Sequence, residues 1–179
     1  MKYAALSVLF LCFLFVHARA DEPVGIRFFT GSWTDVLAEA KRQHKPIYVD
    51  FHTTWCPPCR RMAREAFPNP QVGEKFNEHF VSYQVDAELG EGFTLARQYA
   101  VSSYPTALFI TPEGELVHRA VGYGGVNAML KQADMVMAMP KMRRSLRKRG
   151  HPNSSIIAAP TLTTLPDSTP NQEPKDSLR

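Results

Sequence analysis

Two cysteines separated by two residues carry the most reactive chemistry in this sequence. They belong to the motif Trp-Cys-Pro-Pro-Cys at residues 55–59, which follows an apolar, strand-like run. Thiols at this spacing can form a disulfide with each other, and another thiolate can open that disulfide again. Because so short a bridge adds little to the stability of a fold, the spacing predicts a redox couple.

Cys56 and Cys59 should differ in reactivity. Pro58 suits the first turn of a helix, where its missing N–H group costs nothing. A helix N-terminus favours the thiolate, which is the nucleophilic form of cysteine. Cys56 lies at that position and Cys59 lies one turn further in. We therefore expect Cys56 to attack a disulfide and Cys59 to resolve the product.

Two other uses are compatible with the pair. Its disulfide could simply brace the loop, or its thiols could form half of a zinc site. A Cys₄ or Cys₂His₂ zinc site needs a second pair of ligands at a suitable spacing. The histidines contain no such pair; they are His17, His44, His52, His79, His118 and His151. We expect no metal and no cofactor.

The first twenty residues have the pattern of a cleavable signal peptide. Lys2 gives a positive start, residues 4–16 form an almost unbroken apolar run, and residues 18–20 read Ala-Arg-Ala. An uncleaved N-terminal membrane anchor is the alternative. The run is shorter than the roughly 20 residues of a membrane-spanning helix, which favours cleavage. Cys12 lies in this leader and would be removed. We expect a periplasmic or secreted protein, in a compartment where disulfides persist.

The positive net charge comes from one short segment. The chain carries +4, and six cations lie within residues 141–149, so the remainder carries −2. No nucleic-acid partner is expected from this distribution. The segment reads as a solvated helix end or as a weak contact with an anionic membrane surface. We expect a monomeric domain over residues 21–149 and a disordered Pro/Ser/Thr-rich tail over residues 150–179.

Hydrophobic periodicity predicts alternating helices and strands. Ser32 followed by Asp35 resembles a capping box before the first helix. A turn at residues 112–114 should join the last two strands as an antiparallel hairpin. The glycines of residues 90–92 mark a loop. The predicted helices are residues 33–44, 58–66, 71–80, 93–99 and one from residue 126 to the basic segment, and the predicted strands are residues 46–51, 81–86, 106–111 and 115–121.

Several short motifs together resemble the thioredoxin superfamily. They are Val-Asp-Phe at residues 49–51, the cysteine motif, Tyr-Pro-Thr at residues 104–106 and Gly122. The resemblance covers about residues 33–139 and implies an α/β thioredoxin fold, with a central mixed β-sheet flanked by helices on both faces. Lys-Pro before the strand and residues 67–72 are most similar to the C-terminal periplasmic domain of DsbD and to related exported thioredoxin-like proteins.

The resemblance also implies roles for individual residues. Pro105 matches the cis-proline beside the dithiol, although an X-Pro bond judged alone would be expected to be trans. Asp50 matches the buried acid that takes and returns the proton of the resolving cysteine, although an isolated strand carboxylate would be expected to be exposed. Trp55 should shelter the dithiol, whether or not it is also a core residue, and Tyr104 should influence partner choice. Trp55 and Tyr104 are thus the expected substrate-binding residues.

Three positions near this chemistry differ from the family or stay ambiguous. Ala63 occupies the position of a second acid in the DsbD domain, and Ser82 occupies that of the lysine near the buried acid of thioredoxin. Proton transfer would therefore rest on Asp50 alone. A protonated His52 could stabilise a thiolate, but strand alternation is equally compatible with a side chain that faces away.

The sequence therefore predicts an exported thiol-disulfide oxidoreductase that acts in redox homeostasis. We expect it to reduce disulfides of other exported proteins through Cys56 and Cys59, and to be reduced in turn by a separate electron-donor protein. A dithiol oxidase or isomerase with the same residues is one alternative. A metal chaperone or adaptor with the thioredoxin fold is the other.

Overall fold

The computed structural model describes residues 24–148. The predicted leader of residues 1–20 and the predicted tail of residues 150–179 lie outside this part of the chain. Within it, no helix is both long and apolar enough to cross a membrane.

The described residues form six helices and four strands, and their order is the predicted one except that two helices replace the single predicted C-terminal helix. The helices are α1 (Trp33–Gln43), α2 (Pro57–Glu65), α3 (Pro70–His79), α4 (Gly90–Gln98), α5 (Val126–Ala138) and α6 (Pro140–Lys148). The strands are β1 (Ile47–His52), β2 (Val81–Asp86), β3 (Thr106–Ile110) and β4 (Leu116–Val121).

The four strands form one mixed sheet with the order β2-β1-β3-β4. β1 pairs in parallel with β2 and antiparallel with β3, and β3 and β4 form the predicted antiparallel hairpin. The fold class is therefore confirmed. β1 leads directly into the cysteine motif. Because β2 and β3 pair with β1 on its two sides, they fix the strand from which the motif begins.

Alternate residues of β1 enter two different cores. Val49 and Phe51 pack with residues of α1 and α4 on one face of the sheet. Tyr48 packs with residues of α2, α3 and α5 on the other face. Because side chains two apart on a strand share a face, Asp50 points to the layer that contains α2.

Local capping sets the start of the helices as the sequence predicts. The capping box of α1 is present, with the Ser32 hydroxyl accepting from the Asp35 N–H and the Asp35 carboxylate accepting from the Ser32 N–H. The Asn69 side chain accepts the N–H groups of Gln71 and Val72 at the start of α3. These contacts satisfy donors that have no partner inside a helix.

The prediction of a loop over residues 90–92 is wrong, because α4 already begins at Gly90. A Cβ on Gly92 would lie 2.0 Å from the main-chain oxygen of Asp86. Only glycine therefore lets the first turn of α4 pack against the end of β2. Glycine is a poor helix former, so the sequence pattern indicates a loop where tertiary packing forms a helix.

Replacing Gly92 with Ala should lower the free energy of unfolding by about 3 kcal/mol, because the new methyl group meets backbone that cannot move aside. Gly90→Ala is the matched control. No atom lies within 4 Å of a Cβ at Gly90, whose φ is 51°, so its cost should be about 1 kcal/mol, from the left-handed backbone alone. Urea unfolding measures both variants, and equal losses would contradict this explanation.

The predicted single C-terminal helix is also wrong, since two helices occupy this segment. Met139 has an extended backbone between α5 and α6, with φ −61° and ψ 134°. Pro140 explains the break, because its ring disfavours helical geometry at the preceding residue. The basic residues therefore lie along α6 and not at the end of α5, and the buried Met142 anchors α6 to the second core.

Residues outside the four strands contact both edges of the sheet. Phe28 forms a parallel bridge with Ser82 of β2, and the Phe29 N–H donates to the Ser82 carbonyl at 2.7 Å. At the opposite edge, Lys141 of α6 donates to the carbonyl of Leu116 in β4 at 2.9 Å.

Candidate active site

The two cysteines form a disulfide at the start of α2. Cys56 is the N-cap residue of this helix, and Pro57 and Pro58 form its first turn. The N–H of Cys59 donates to the sulfur of Cys56 at 3.2 Å. When the pair is reduced, the same N–H and the helix dipole favour negative charge on Cys56. The predicted difference in position between the two thiols is present.

Two arginines follow the dithiol in the sequence of α2. The first turn of α2 contains no acidic residue. The Arg60 guanidinium donates to the carbonyl of Thr54 at 3.0 Å, and the Arg61 guanidinium lies 5.4 Å from the ring centre of Tyr123. Both guanidinium groups are thus held by contacts with residues outside α2.

Pro105 lies directly before β3, the strand that pairs antiparallel with β1. The Tyr104–Pro105 peptide bond is cis, as the resemblance implies. The Pro105 carbonyl accepts the N–H of Gly122 at 2.8 Å, which ties the start of β3 to the end of β4. The Tyr104 ring lies edge-on to the ring of Trp55, with 6.1 Å between centroids. This contact brings the cis-proline loop and the cysteine motif together.

Trp55 is a surface residue and not a core tryptophan, since it is 60% exposed. Its indole N–H donates to both carboxylate oxygens of Glu88, at 3.0 and 3.1 Å. The next residue, Leu89, is exposed, and so is Phe93 in α4. Trp55, the neighbour of Cys56 in the chain, therefore offers a protein substrate exposed apolar surface next to the buried disulfide. Glu88 has no distinguishing sequence pattern, so sequence reasoning missed it.

Asp50 is buried in the sheet, as expected from the resemblance, and is only 1% exposed. In register it lies opposite Gln84 on β2 and Ala107 on β3. Burial raises the pKa of Asp50 to about 7, and the hydrogen bond from Gln84 partly opposes this rise. Asp50 faces the layer of α2, in which Cys59 is also buried. Its role as proton acceptor for Cys59 stays a prediction.

Gln84 is a neighbour of Asp50 that sequence reasoning missed. Its side-chain amide donates to Asp50 Oδ2 at 2.9 Å. The position matched to the thioredoxin lysine, Ser82, lies two residues earlier, and its buried hydroxyl has no hydrogen-bond partner within residues 24–148. Asp50 thus has a neutral amide as its hydrogen-bond donor, from Gln84. Parallel pairing of β1 with β2 in this register is the signal that would have identified it.

The side chains that could bind a metal ion are not clustered in the described residues. Within residues 24–148, no group of three or more His, Cys, Asp and Glu side chains is arranged to hold a metal ion.

Comparison with known proteins places this geometry in a family. A profile of the Thioredoxin-like domain family matches residues 33–136, which is more than half of the chain. Thioredoxin H4 of Arabidopsis thaliana is 37% identical over 90 residues, which cover 50% of this chain and 71% of the relative. The solution structure of a thioredoxin from Thermus thermophilus is 30% identical, with a TM-score of 0.58, and the match covers 64% of this chain and 88% of that one.

The comparison also bears on the likeness to DsbD. The oxidised C-terminal domain of DsbD from Neisseria meningitidis has a TM-score of 0.50 and 21% identity, over 57% of this chain and 90% of that one. At this identity the match shows the fold alone. The family profile and the Arabidopsis relative show more: the chain belongs to the thioredoxin-like family, and its Cys56–Cys59 pair makes it a thiol-disulfide oxidoreductase.

Proposed function

We propose that this oxidoreductase is exported and reduces disulfides of other exported proteins. The observation that carries the proposal is the unequal placement of its two sulfurs. Cys56 caps α2, and its sulfur accepts the Cys59 N–H, which favours a thiolate, whereas Cys59 lies inside the first turn of the helix. One sulfur is thus suited to attack and the other to resolve the product.

The proposed reduction uses the dithiol, the Asp50 carboxylate and the substrate disulfide. The Cys56 thiolate attacks one sulfur of a substrate disulfide, and the other substrate sulfur leaves with the bonding electron pair. Cys59 loses its proton to Asp50 and attacks Cys56, which releases the second substrate sulfur as a thiolate. The substrate has then gained two electrons, and the protein holds its Cys56–Cys59 disulfide.

The surroundings of the dithiol support a protein as substrate. Trp55 is exposed and Tyr104 is half-buried beside it, so both rings are available to an extended chain that approaches the cis-proline loop. The signal-peptide pattern of residues 1–20 supports export. In an oxidising compartment, a separate dithiol protein must then return two electrons to the Cys56–Cys59 disulfide.

The reduction potential tests the direction of electron flow. Equilibration of the pair with glutathione or dithiothreitol buffers, followed by thiol alkylation and mass spectrometry, should give a value close to that of thioredoxin, about −270 mV, and insulin disulfides should be reduced in the presence of dithiothreitol. A potential close to that of DsbA, about −120 mV, would instead identify an oxidant. A double Cys56→Ser, Cys59→Ser variant is the background control for both assays.

A further inference from the structure

His52 lies beside Asp50, and the proposed cycle gives it no role. The two residues are separated by one position on β1, so both face the layer of α2. The Nδ1 atom of His52 lies 4.0 Å from Asp50 Oδ2. That separation is about 1 Å longer than a hydrogen bond.

The two side chains differ in their access to solvent. The Asp50 side chain is 1% exposed, whereas the His52 side chain is 29% exposed. His52 Nδ1 and Asp50 Oδ1 are both buried and have no hydrogen-bond partner within residues 24–148. The imidazole ring therefore spans the distance from the buried carboxyl group to the surface, with its buried nitrogen on the Asp50 side.

Few other ionisable groups face this pair. On β1 the phenol of Tyr48 shares the face of Asp50, and on β2 Asp86 lies opposite His52 in register. Cys59 comes from α2, and β3 contributes only Ala107 opposite Asp50. Burial lowers the pKa of His52, and the charge of Asp86 partly opposes this effect. His52 is then mainly neutral at neutral pH and free to accept a proton.

We propose that His52 is the proton relay between buried Asp50 and solvent, a role that rests on the proposed function of Asp50 as proton acceptor for Cys59. His52 acts through Asp50 and does not touch the reacting sulfurs. This role differs from direct stabilisation of the Cys56 thiolate, the role that the sequence suggested for a protonated His52.

The relay balances the protons of each cycle. As Cys59 bonds to Cys56, the Cys59 proton passes to the Asp50 carboxylate. Asp50 then gives this proton to Nδ1 of neutral His52, and the resulting imidazolium releases a proton from Nε2 to solvent. Proton exchange between the ring and solvent restores the starting tautomer. Burial raises the pKa of Asp50 to about 7, so its carboxyl group can both hold and release a proton near neutral pH.

Proton exchange at Asp50 can be measured directly in the full chain. With ¹³C-labelled aspartate, the Asp50 carboxyl resonance is assigned by its loss in Asp50→Asn and followed through its titration by NMR. Fast proton exchange in the wild type should give one narrow line that moves with pH. In His52→Gln, the line should broaden severalfold near the titration midpoint, and added imidazole should restore its width.

Two further variants make the test specific. His52→Asn should behave as His52→Gln does, because neither amide can accept a proton. His79→Gln removes an imidazole at the end of α3, away from Asp50, and should leave the line unchanged. A narrow line in both His52 variants, or broadening that imidazole does not reverse, would overturn the relay. The experiment requires no disulfide exchange, so failure of the proposed reductase function would be seen separately, in the insulin assay.

Discussion

A Cys59→Ser variant should hold its substrates covalently, through mixed disulfides at Cys56. The substitution removes the resolving sulfur but keeps the N-cap position of Cys56, so attack continues and release stops. Turnover of insulin should fall by about a hundredfold or more, because the covalent intermediate accumulates. Non-reducing gels and mass spectrometry of the trapped species measure the effect.

The reciprocal variant defines the division of labour between the two sulfurs. Cys56→Ser should lose the same turnover but trap nothing, because the remaining Cys59 lies inside α2 and lacks the N-cap position that favours a thiolate. Trapping by Cys56→Ser as efficient as that by Cys59→Ser would show that either sulfur can attack. The double variant reports any capture that does not depend on the pair.

Replacing Asp50 with Asn should stabilise the oxidised protein at high pH. Burial raises the pKa of Asp50 from its ordinary value of 3.8 to about 7. A difference of this size corresponds to about 4 kcal/mol of unfolding free energy. The unfolded chain ionises Asp50 near pH 4, while the folded chain does so only near pH 7. The wild type therefore loses stability as pH rises between these values, and the variant does not.

Urea unfolding between pH 4 and pH 9 measures this difference. The gain of Asp50→Asn should be close to zero at pH 4, increase towards pH 7 and reach its maximum of about 4 kcal/mol above that pH. Asp134→Asn, on the exposed surface of α5, is the control and should give no such gain. A gain that does not change with pH would contradict the burial argument. The variant should also be slower in the step performed by Cys59, because an amide cannot accept its proton.

Sequence patterns predicted the parts of the fold that depend on neighbouring residues. Alternation located all four strands to within one or two residues, and Ser32 with Asp35 located the start of α1. Pro58 indicated that Cys56 would lie at a helix start, because proline restricts its own backbone irrespective of tertiary contacts. The same rule could have revealed the break at Pro140, where apolar periodicity on both sides concealed it.

The remaining features depend on contacts between distant parts of the chain. Gly92 is helical only because α4 packs closely on Asp86, and Gln84 meets Asp50 only through the register of β1 with β2. Asp50 itself illustrates the difference between pattern and family. Its residue type alone indicated exposure, and the resemblance to thioredoxins indicated the burial that the structure has.

The contacts at the two sheet edges affect how this protein can interact with unfolded chains. Substrates of a disulfide reductase are often incompletely folded and offer unpaired strands. An open edge would let such chains add to the sheet and aggregate with it. Here Phe28 lies along β2 and Lys141 occupies a carbonyl of β4. Each contact occupies part of a sheet edge, which leaves less unpaired backbone to which an unfolded chain could add.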